Sequence, residues 1–213
     1  MSGLAGARLY LVAGTRIGDA ELADLVPDLA SAGVDLLQLR EKEIEAAPLL
    51  RSGEKIAAAC DQAGIPFVMN DRPDLALALG CGVHLGQDDV PVEIARRILL
   101  PGSIVGRSTH SRDQIDAELT RRERVHYIAV GPVHETPTKP GRPAAGIQLL
   151  DHAARAVPPD LPWFAIGGLN LETLSAAMEA GARRAVVVRA ITEAADPVRA
   201  AAGIRALLDQ VPL

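Results

Sequence analysis

Apolar positions along this chain follow two alternating rhythms. Short, nearly continuous apolar runs predict buried strands at Leu9–Ala13, Val34–Leu39, Pro66–Asn70, Gly82–Leu85, Ser103–Arg107, Val125–Val130, Trp163–Ile166 and Arg184–Val188. Between them, Ala- and Leu-rich stretches with helical spacing predict helices over Glu21–Ser31, Ala46–Gln62, Val92–Leu99, Ile147–Ala156 and Leu171–Ala180, with Pro197–Leu208 closing the chain. Gly33, Gly64, Gly80 and Gly181 each fall just before the next strand, where a glycine stops a helix. Alternating strands and helices imply a parallel sheet covered by helices. Eight such units make the leading fold an α/β (β/α)8 TIM barrel in one domain, residues 1–213. An open doubly wound sheet is the alternative, but the GxGxxG turn of a dinucleotide fold does not follow the first strand.

Composition narrows the function classes. With 213 residues and 48% hydrophobic content, the chain can bury a large core and is too apolar for disorder. A formal charge of -5 and 2% aromatic residues argue against nucleic-acid binding and base stacking. Neither a membrane span nor a signal peptide is evident in the sequence. Cys60 and Cys81 lack metal-site or CxxC spacing and read as reduced core thiols of a cytoplasmic protein.

The active site of such a barrel lies at the C-terminal ends of its strands. Polar and chargeable residues collect there, and Ala, Val, Gly and Pro dominate the opposite ends. That asymmetry points to an enzyme rather than a scaffold. Gln38, Arg40 and Lys42 end the second strand, and alternation puts them on one face, where two cations call for an anionic partner. Arg40, Lys42 and Lys139 suit phosphate oxygens. Asp71 and Asp89 suit Mg²⁺, which takes one or two carboxylates plus substrate oxygens. Asn70 and Ser108 are neutral groups able to orient an organic head group. Gly167-Gly168 after the seventh strand, with a helix Asn170–Ala180 pointing its positive end there and Val188-Arg189 ending the eighth strand, suggests a second phosphate cradle. The residues therefore predict two phosphorylated substrates, one of which loses pyrophosphate. Plainer readings compete. Arg40 and Lys42 could pair with Glu41, Glu43 or Glu45, Asp71 could cap a helix near Arg72–Leu79, and Asp88 competes with Asp89. His84 reads as a core or hydrogen-bonded residue rather than a ligand, and Gly106 and Gly131 as packing positions.

Six motifs occur in order: QLREK (38–42), ND (70–71), HLGQDD (84–89), GRSTH (106–110), GPVHETPTKP (131–140) and AIGGL (165–169). With them, nearly the whole chain resembles the thiamine-phosphate synthase family. The resemblance implies a transferase of thiamine biosynthesis that joins 4-amino-2-methyl-5-hydroxymethylpyrimidine diphosphate to a thiazole monophosphate with Mg²⁺, releasing pyrophosphate. It implies that Gln38, Leu39, Arg40, Glu41, Lys42, Asn70, Ser108 and Lys139 bind the pyrimidine diphosphate, with Arg40, Lys42, Lys139 and Ser108 the catalytic set. It implies that Asp71 and Asp89 hold the metal, and that Thr136, Pro137, Thr138, Gly168, Val188 and Arg189 hold the thiazole phosphate. Phosphorylated small molecules are the implied partners, with a homodimer expected. Two positions depart from the family pattern: Arg189 stands in place of a Ser, and His134 in place of an aromatic residue. The Pro-rich segment 131–146 is long enough for a lid. A thiazole tautomerase-like isomerase and a non-catalytic regulator of the same fold are the competing functions.

Overall fold

The structure, a computed structural model, describes residues 4–121, 124–135 and 143–213. Eight parallel strands form its centre: β1 (Leu9–Ala13), β2 (Val34–Leu39), β3 (Phe67–Asn70), β4 (Gly82–Leu85), β5 (Val105–Thr109), β6 (Tyr127–Val130), β7 (Trp163–Ile166) and β8 (Ala185–Val187). Each pairs with its sequence neighbours, and β1 pairs with β8 to close the sheet, so the barrel prediction holds. A small antiparallel ribbon, Arg16–Ile17 with Ala20–Glu21, follows β1. The helices are α1 (Leu22–Ser31), α2 (Ala46–Ala63), α3 (Pro73–Leu79), α4 (Val92–Ile98), α5 (Arg112–Thr120), α6 (Gln148–Ala156), α7 (Leu174–Glu179), α8 (Arg189–Thr192) and α9 (Pro197–Leu208). Among the described residues, no helix is long and apolar enough to cross a membrane.

Alternation along the strands separates two cores. Leu9, Leu11, Leu37, Leu39, Val83, Leu85, Ile128 and Ala165 face outward and pack under the helices. Tyr10, Val12, Leu36, Val68, Tyr127, Ala129, Phe164 and Val186 face inward and fill the barrel. Gly33, Gly64, Gly80 and Gly181 all have positive φ, as helix-stopping glycines require. Ser111 caps α5 by accepting from Gln114 N at 3.2 Å, and Asp196 caps α9 by accepting from Arg199 N at 2.9 Å.

Most boundaries lie within one or two residues of the sequence reading, and three differences near the strand ends have a local reason. β5 runs on to Thr109 because Ser108 turns into the barrel and Thr109 Oγ1 donates to Ala129 O, which satisfies two polar residues inside a strand. The eighth strand stops at Val187, and Arg189 opens the short helix α8 instead of ending the strand. The expected helix Asn170–Ala180 is only Leu174–Glu179. The Asn170 carboxamide accepts from the backbone N–H groups of Glu172 (2.8 Å) and Thr173 (3.0 Å), holding residues 171–173 in a turn. The positive helix end expected at Gly167-Gly168 is therefore displaced along the chain, and the second cradle loses that support.

Candidate functional site

A cavity of about 460 Å³ opens at the C-terminal ends of the strands. Gln38, Arg40, Asn70 and Ser108 line one side, and Gly167, Gly168, Val188 and Arg189 line another. Val12, Ala129, Ile166, Leu169 and Val186 supply the apolar wall between them. Gln38, Asn70 and Ser108 are nearly buried, at 3%, 8% and 5% exposure, so their polar groups work in a dry setting. One space thus joins Gln38, Arg40, Asn70 and Ser108 of one expected half-site with Gly167, Gly168, Val188 and Arg189 of the other, while Asp71 and Asp89 are not among its lining residues.

Several residues of the expected site stand elsewhere. Leu39 is wholly buried in the outer core, so its side chain faces the helices and not the cavity. β2 ends at Leu39, and Lys42 sits exposed on the bend beyond it. The alternation argued for Gln38, Arg40 and Lys42 therefore reaches only as far as the strand does. Glu41 Oε1 accepts from Thr15 N at 2.7 Å and from Thr15 Oγ1 at 3.2 Å, tying the loop after β2 to the loop after β1. Gly14 leaves room for this contact, since a β-carbon there would meet Glu41 Oε1 at 2.5 Å and push the carboxylate aside. Thr136, Pro137, Thr138 and Lys139 lie outside the described residues, as do residues 140–142 of the expected lid.

Asp71 and Asp89 follow adjacent strands, β3 and β4, in which Asn70 is in register with His84. Asp71 has φ 63°, the one positive φ of a non-glycine among the described residues. Its N–H donates to His84 O at 2.9 Å, so the left-handed turn is held by the neighbouring strand. It does not cap α3; the N-cap position belongs to Arg72, which pairs with Asp74. Asp89 Oδ2 accepts from Gly86 N at 2.6 Å, closing the turn that carries it, and Asp88 is exposed. These carboxylates are hard oxygen donors on neighbouring strand ends, a set that fits Mg²⁺ completed by substrate oxygens and water.

Below the mouth the barrel carries polar groups that sequence reasoning missed. Gln38 Nε2 donates to the Tyr10 hydroxyl. Tyr10 and Tyr127 hydroxyls are 2.8 Å apart, Tyr127 reaches His84 Nδ1 at 2.9 Å, and His84 Nε2 reaches Ser108 Oγ at 2.9 Å. Burial pushes both phenols well above their ordinary range, so they keep their protons at neutral pH. The signal for them was available: two tyrosines at inward positions of buried strands need partners for their hydroxyls. Gly106 makes the room, because a β-carbon there would fall on the Tyr127 ring. His134 packs against the glycines, its N–H donating to Gly167 O at 3.2 Å, and it does not line the cavity. Arg107, although inside the GRSTH motif, faces outward toward Glu118 of α5 at 3.6 Å.

A parallel eight-stranded barrel with a cavity of polar and apolar lining at its strand ends has the architecture in which barrel enzymes carry their active sites. The sequence matches the thiamine monophosphate synthase family over residues 9–191. It is 50% identical over 206 residues to the thiamine-phosphate synthase of Acidothermus cellulolyticus, covering 96% of each chain. It is 50% identical over 202 residues to that of Thermus thermophilus, covering 93% of this chain and 95% of the other. A solved thiamine phosphate pyrophosphorylase from Pyrococcus furiosus superposes with TM-score 0.82 at 25% identity, covering 95% of this chain and 96% of the other. The chain belongs to the thiamine monophosphate synthase family, and it is a transferase of thiamine biosynthesis.

Proposed function

We propose that this chain, acting as one domain, condenses 4-amino-2-methyl-5-hydroxymethylpyrimidine diphosphate with a thiazole monophosphate to give thiamine monophosphate and pyrophosphate. The carrying observation is the single cavity that holds head-group donors and acceptors, a guanidinium and a glycine-lined recess around one apolar wall. Gln38, Asn70 and Ser108 orient the pyrimidine. Arg40, at the rim of the same wall, meets the diphosphate, where a guanidinium can bind two oxygens at once. Asp71 and Asp89 would hold Mg²⁺, which when bound neutralises charge on the diphosphate and on the departing pyrophosphate. By resemblance, Lys42 and Lys139 add cations to the same group, and Thr136, Pro137 and Thr138 join Gly168, Val188 and Arg189 around the thiazole phosphate. The pyrimidine's amino group stabilises the cation left at its methylene carbon. The apolar wall of Val12, Ala129, Ile166 and Val186 keeps water from that cation until the thiazole nitrogen attacks. That nitrogen has no proton to lose, so the reaction asks for no general base. Glu41 and Leu39 support this site through the loop and the outer core.

Magnesium dependence, a cytoplasmic location and a homodimeric state belong to the same reading. Burial raises the Cys60 and Cys81 thiols to about 12, which suits unreactive thiols in a reducing compartment. Mixing both substrates with Mg²⁺ tests the function: pyrophosphate and thiamine monophosphate are expected in equal amounts, and neither when one substrate or the metal is withheld. Isomerisation of the thiazole phosphate without pyrophosphate release would overturn it.

A further inference from the structure

Tyr10, Tyr127 and His84 connect the two groups assigned to the pyrimidine, Gln38 and Ser108, through the inside of the barrel. We propose that these three residues form a polarised hydrogen-bond relay that makes Gln38 an acceptor and Ser108 a donor toward the cavity, and so select an aminopyrimidine over an oxopyrimidine. The proposal rests on the reading that Gln38 and Ser108 meet that ring.

The polarity follows from counting protons. Gln38 turns its amide nitrogen to the Tyr10 oxygen, so Tyr10 accepts there and must place its own proton elsewhere. Both tyrosines are fully buried, at 0% exposure, and an unpaired buried hydroxyl proton is costly. The Tyr10 proton therefore goes to Tyr127, 2.8 Å away. The Tyr127 proton then goes to His84 Nδ1 at 2.9 Å. A neutral imidazole that accepts at Nδ1 carries its proton on Nε2, and this one donates to Ser108 Oγ at 2.9 Å. Ser108 is thereby left with its own proton to give, and it lines the cavity. Gln38, with its amide nitrogen turned to Tyr10, has its carbonyl oxygen as the acceptor it can offer the cavity it lines. An amino group on a pyrimidine donates and the ring nitrogens accept, which complements this pair. Reversing every bond would present a donor at Gln38 and an acceptor at Ser108, the complement of an oxopyrimidine.

The rings are held in place. Tyr10 and Tyr127 pack edge to face at 5.5 Å and 86°, and His84 stacks on Tyr127 at 5.6 Å and 26°. Phe164 closes the group against Tyr10 at 5.5 Å. Tyr10, Tyr127 and His84 are thus positioning residues, acting through Gln38 and Ser108.

Nitrogen NMR of the free protein with isotope-labelled histidines reads the relay without substrate, the His84 signal being assigned by its loss in His84→Gln. The expected result is a neutral His84 with its proton on Nε2 in the wild type and in Tyr10→Phe, and loss of that single tautomer in Tyr127→Phe. A His84 proton on Nδ1 in the wild type, or an unchanged tautomer in Tyr127→Phe, would overturn the proposal. In kinetics, Tyr127→Phe is expected to raise KM for the pyrimidine diphosphate about tenfold, the scale on which outer partners orient a ligand-contacting side chain, with KM for the thiazole phosphate unchanged. Should Tyr127→Phe fail to fold, Tyr10→Phe carries the test, since it frees Gln38 while leaving Tyr127 on His84. Its pyrimidine KM is expected to rise with the His84 tautomer intact, and an unchanged KM overturns the relay. An unchanged pyrimidine KM in Ser108→Ala would instead overturn the underlying placement of the ring, whatever the tautomer shows.

Discussion

Asp71 holds a left-handed backbone that Asp and Asn tolerate better than other residues with a side chain. Strain of this kind, held by a bond from the next strand, marks a place where side-chain direction matters more than local comfort. Asp71→Asn keeps the tolerance and removes the charge. It is expected to leave the melting temperature near the wild-type value while lowering turnover by about a hundredfold or more, as loss of one preorganised electrostatic group does. Equal losses in both would make Asp71 structural. Arg189 is the second informative residue. It lines the cavity, is 44% exposed in its side chain, and stands 3.9 Å from Glu193. Arg189→Ser is expected to weaken thiazole-phosphate binding modestly, by about 1 kcal/mol or less, as half-exposed charges do. Titration calorimetry showing equal or tighter binding would remove Arg189 from the phosphate site. Gln38 was legible because strand alternation fixes its face, and Arg40 and Ser108 because polar residues at a strand's C-terminal end stand out, although β5 in fact includes Ser108. For Lys42 alternation gives no direction, because β2 ends at Leu39 and Lys42 lies on the bend beyond it. Tyr10 and Tyr127 were passed over because an aromatic ring inside a strand reads first as core.

At the scale of elements, the helix before the seventh crossover shows how one side chain overrides a pattern. Residues 171–173 have helical spacing, but they form a turn in which the Asn170 carboxamide accepts from Glu172 N and Thr173 N, and the helix begins at Leu174. Nothing in the spacing of apolar residues carries that competition. The join between β5, β6 and α4 has a similar hidden dependence. His126 Nδ1 accepts from Val105 N at 3.0 Å, and Arg96 of α4 approaches the same nitrogen at 3.0 Å. Burial first, and then the Arg96 charge, hold this imidazole below its ordinary value of 6.5. The folded state thus resists a proton that the unfolded chain accepts. Stability from this group is complete above the unfolded value and is lost as pH falls below it toward the folded one. Urea unfolding in steps down from neutral pH is expected to show falling stability below about 6.5, with a shallower slope in His126→Asn, whose carboxamide oxygen can still accept from Val105. Equal slopes would place the acid sensitivity elsewhere.

Across the whole molecule, barrel closure depends on the bottom as well as the sheet. Asp35 accepts from the N–H groups of Arg8 (2.6 Å) and Leu9 (3.0 Å) and from Arg205 of α9 at 2.9 Å. Arg8 in turn donates to Leu208 O at 2.7 Å and Val211 O at 2.8 Å. The first strand, the second strand and the last helix are stapled together at the end of the barrel away from the cavity. Asp35→Ala is expected to lower unfolding free energy by about 2 kcal/mol, the loss of charged hydrogen bonds, with kcat and KM unchanged at a temperature where both proteins are folded. A matching fall in kcat would mean that the two ends of the barrel are coupled. The alternation of strands and helices made the closed barrel readable in the sequence, but this staple joins positions roughly two hundred residues apart and leaves no local trace. The same separation of ends gives the protein a built-in place for a spectroscopic label. Its two tyrosines are both inside the barrel, Tyr10 in the cavity lining and Tyr127 hydrogen-bonded behind it, while Trp163 sits on the outer face of β7. Fluorine placed on those rings therefore reports on the barrel interior beside the site, so that occupancy of the site can be followed spectroscopically in a protein to which no probe has been attached elsewhere.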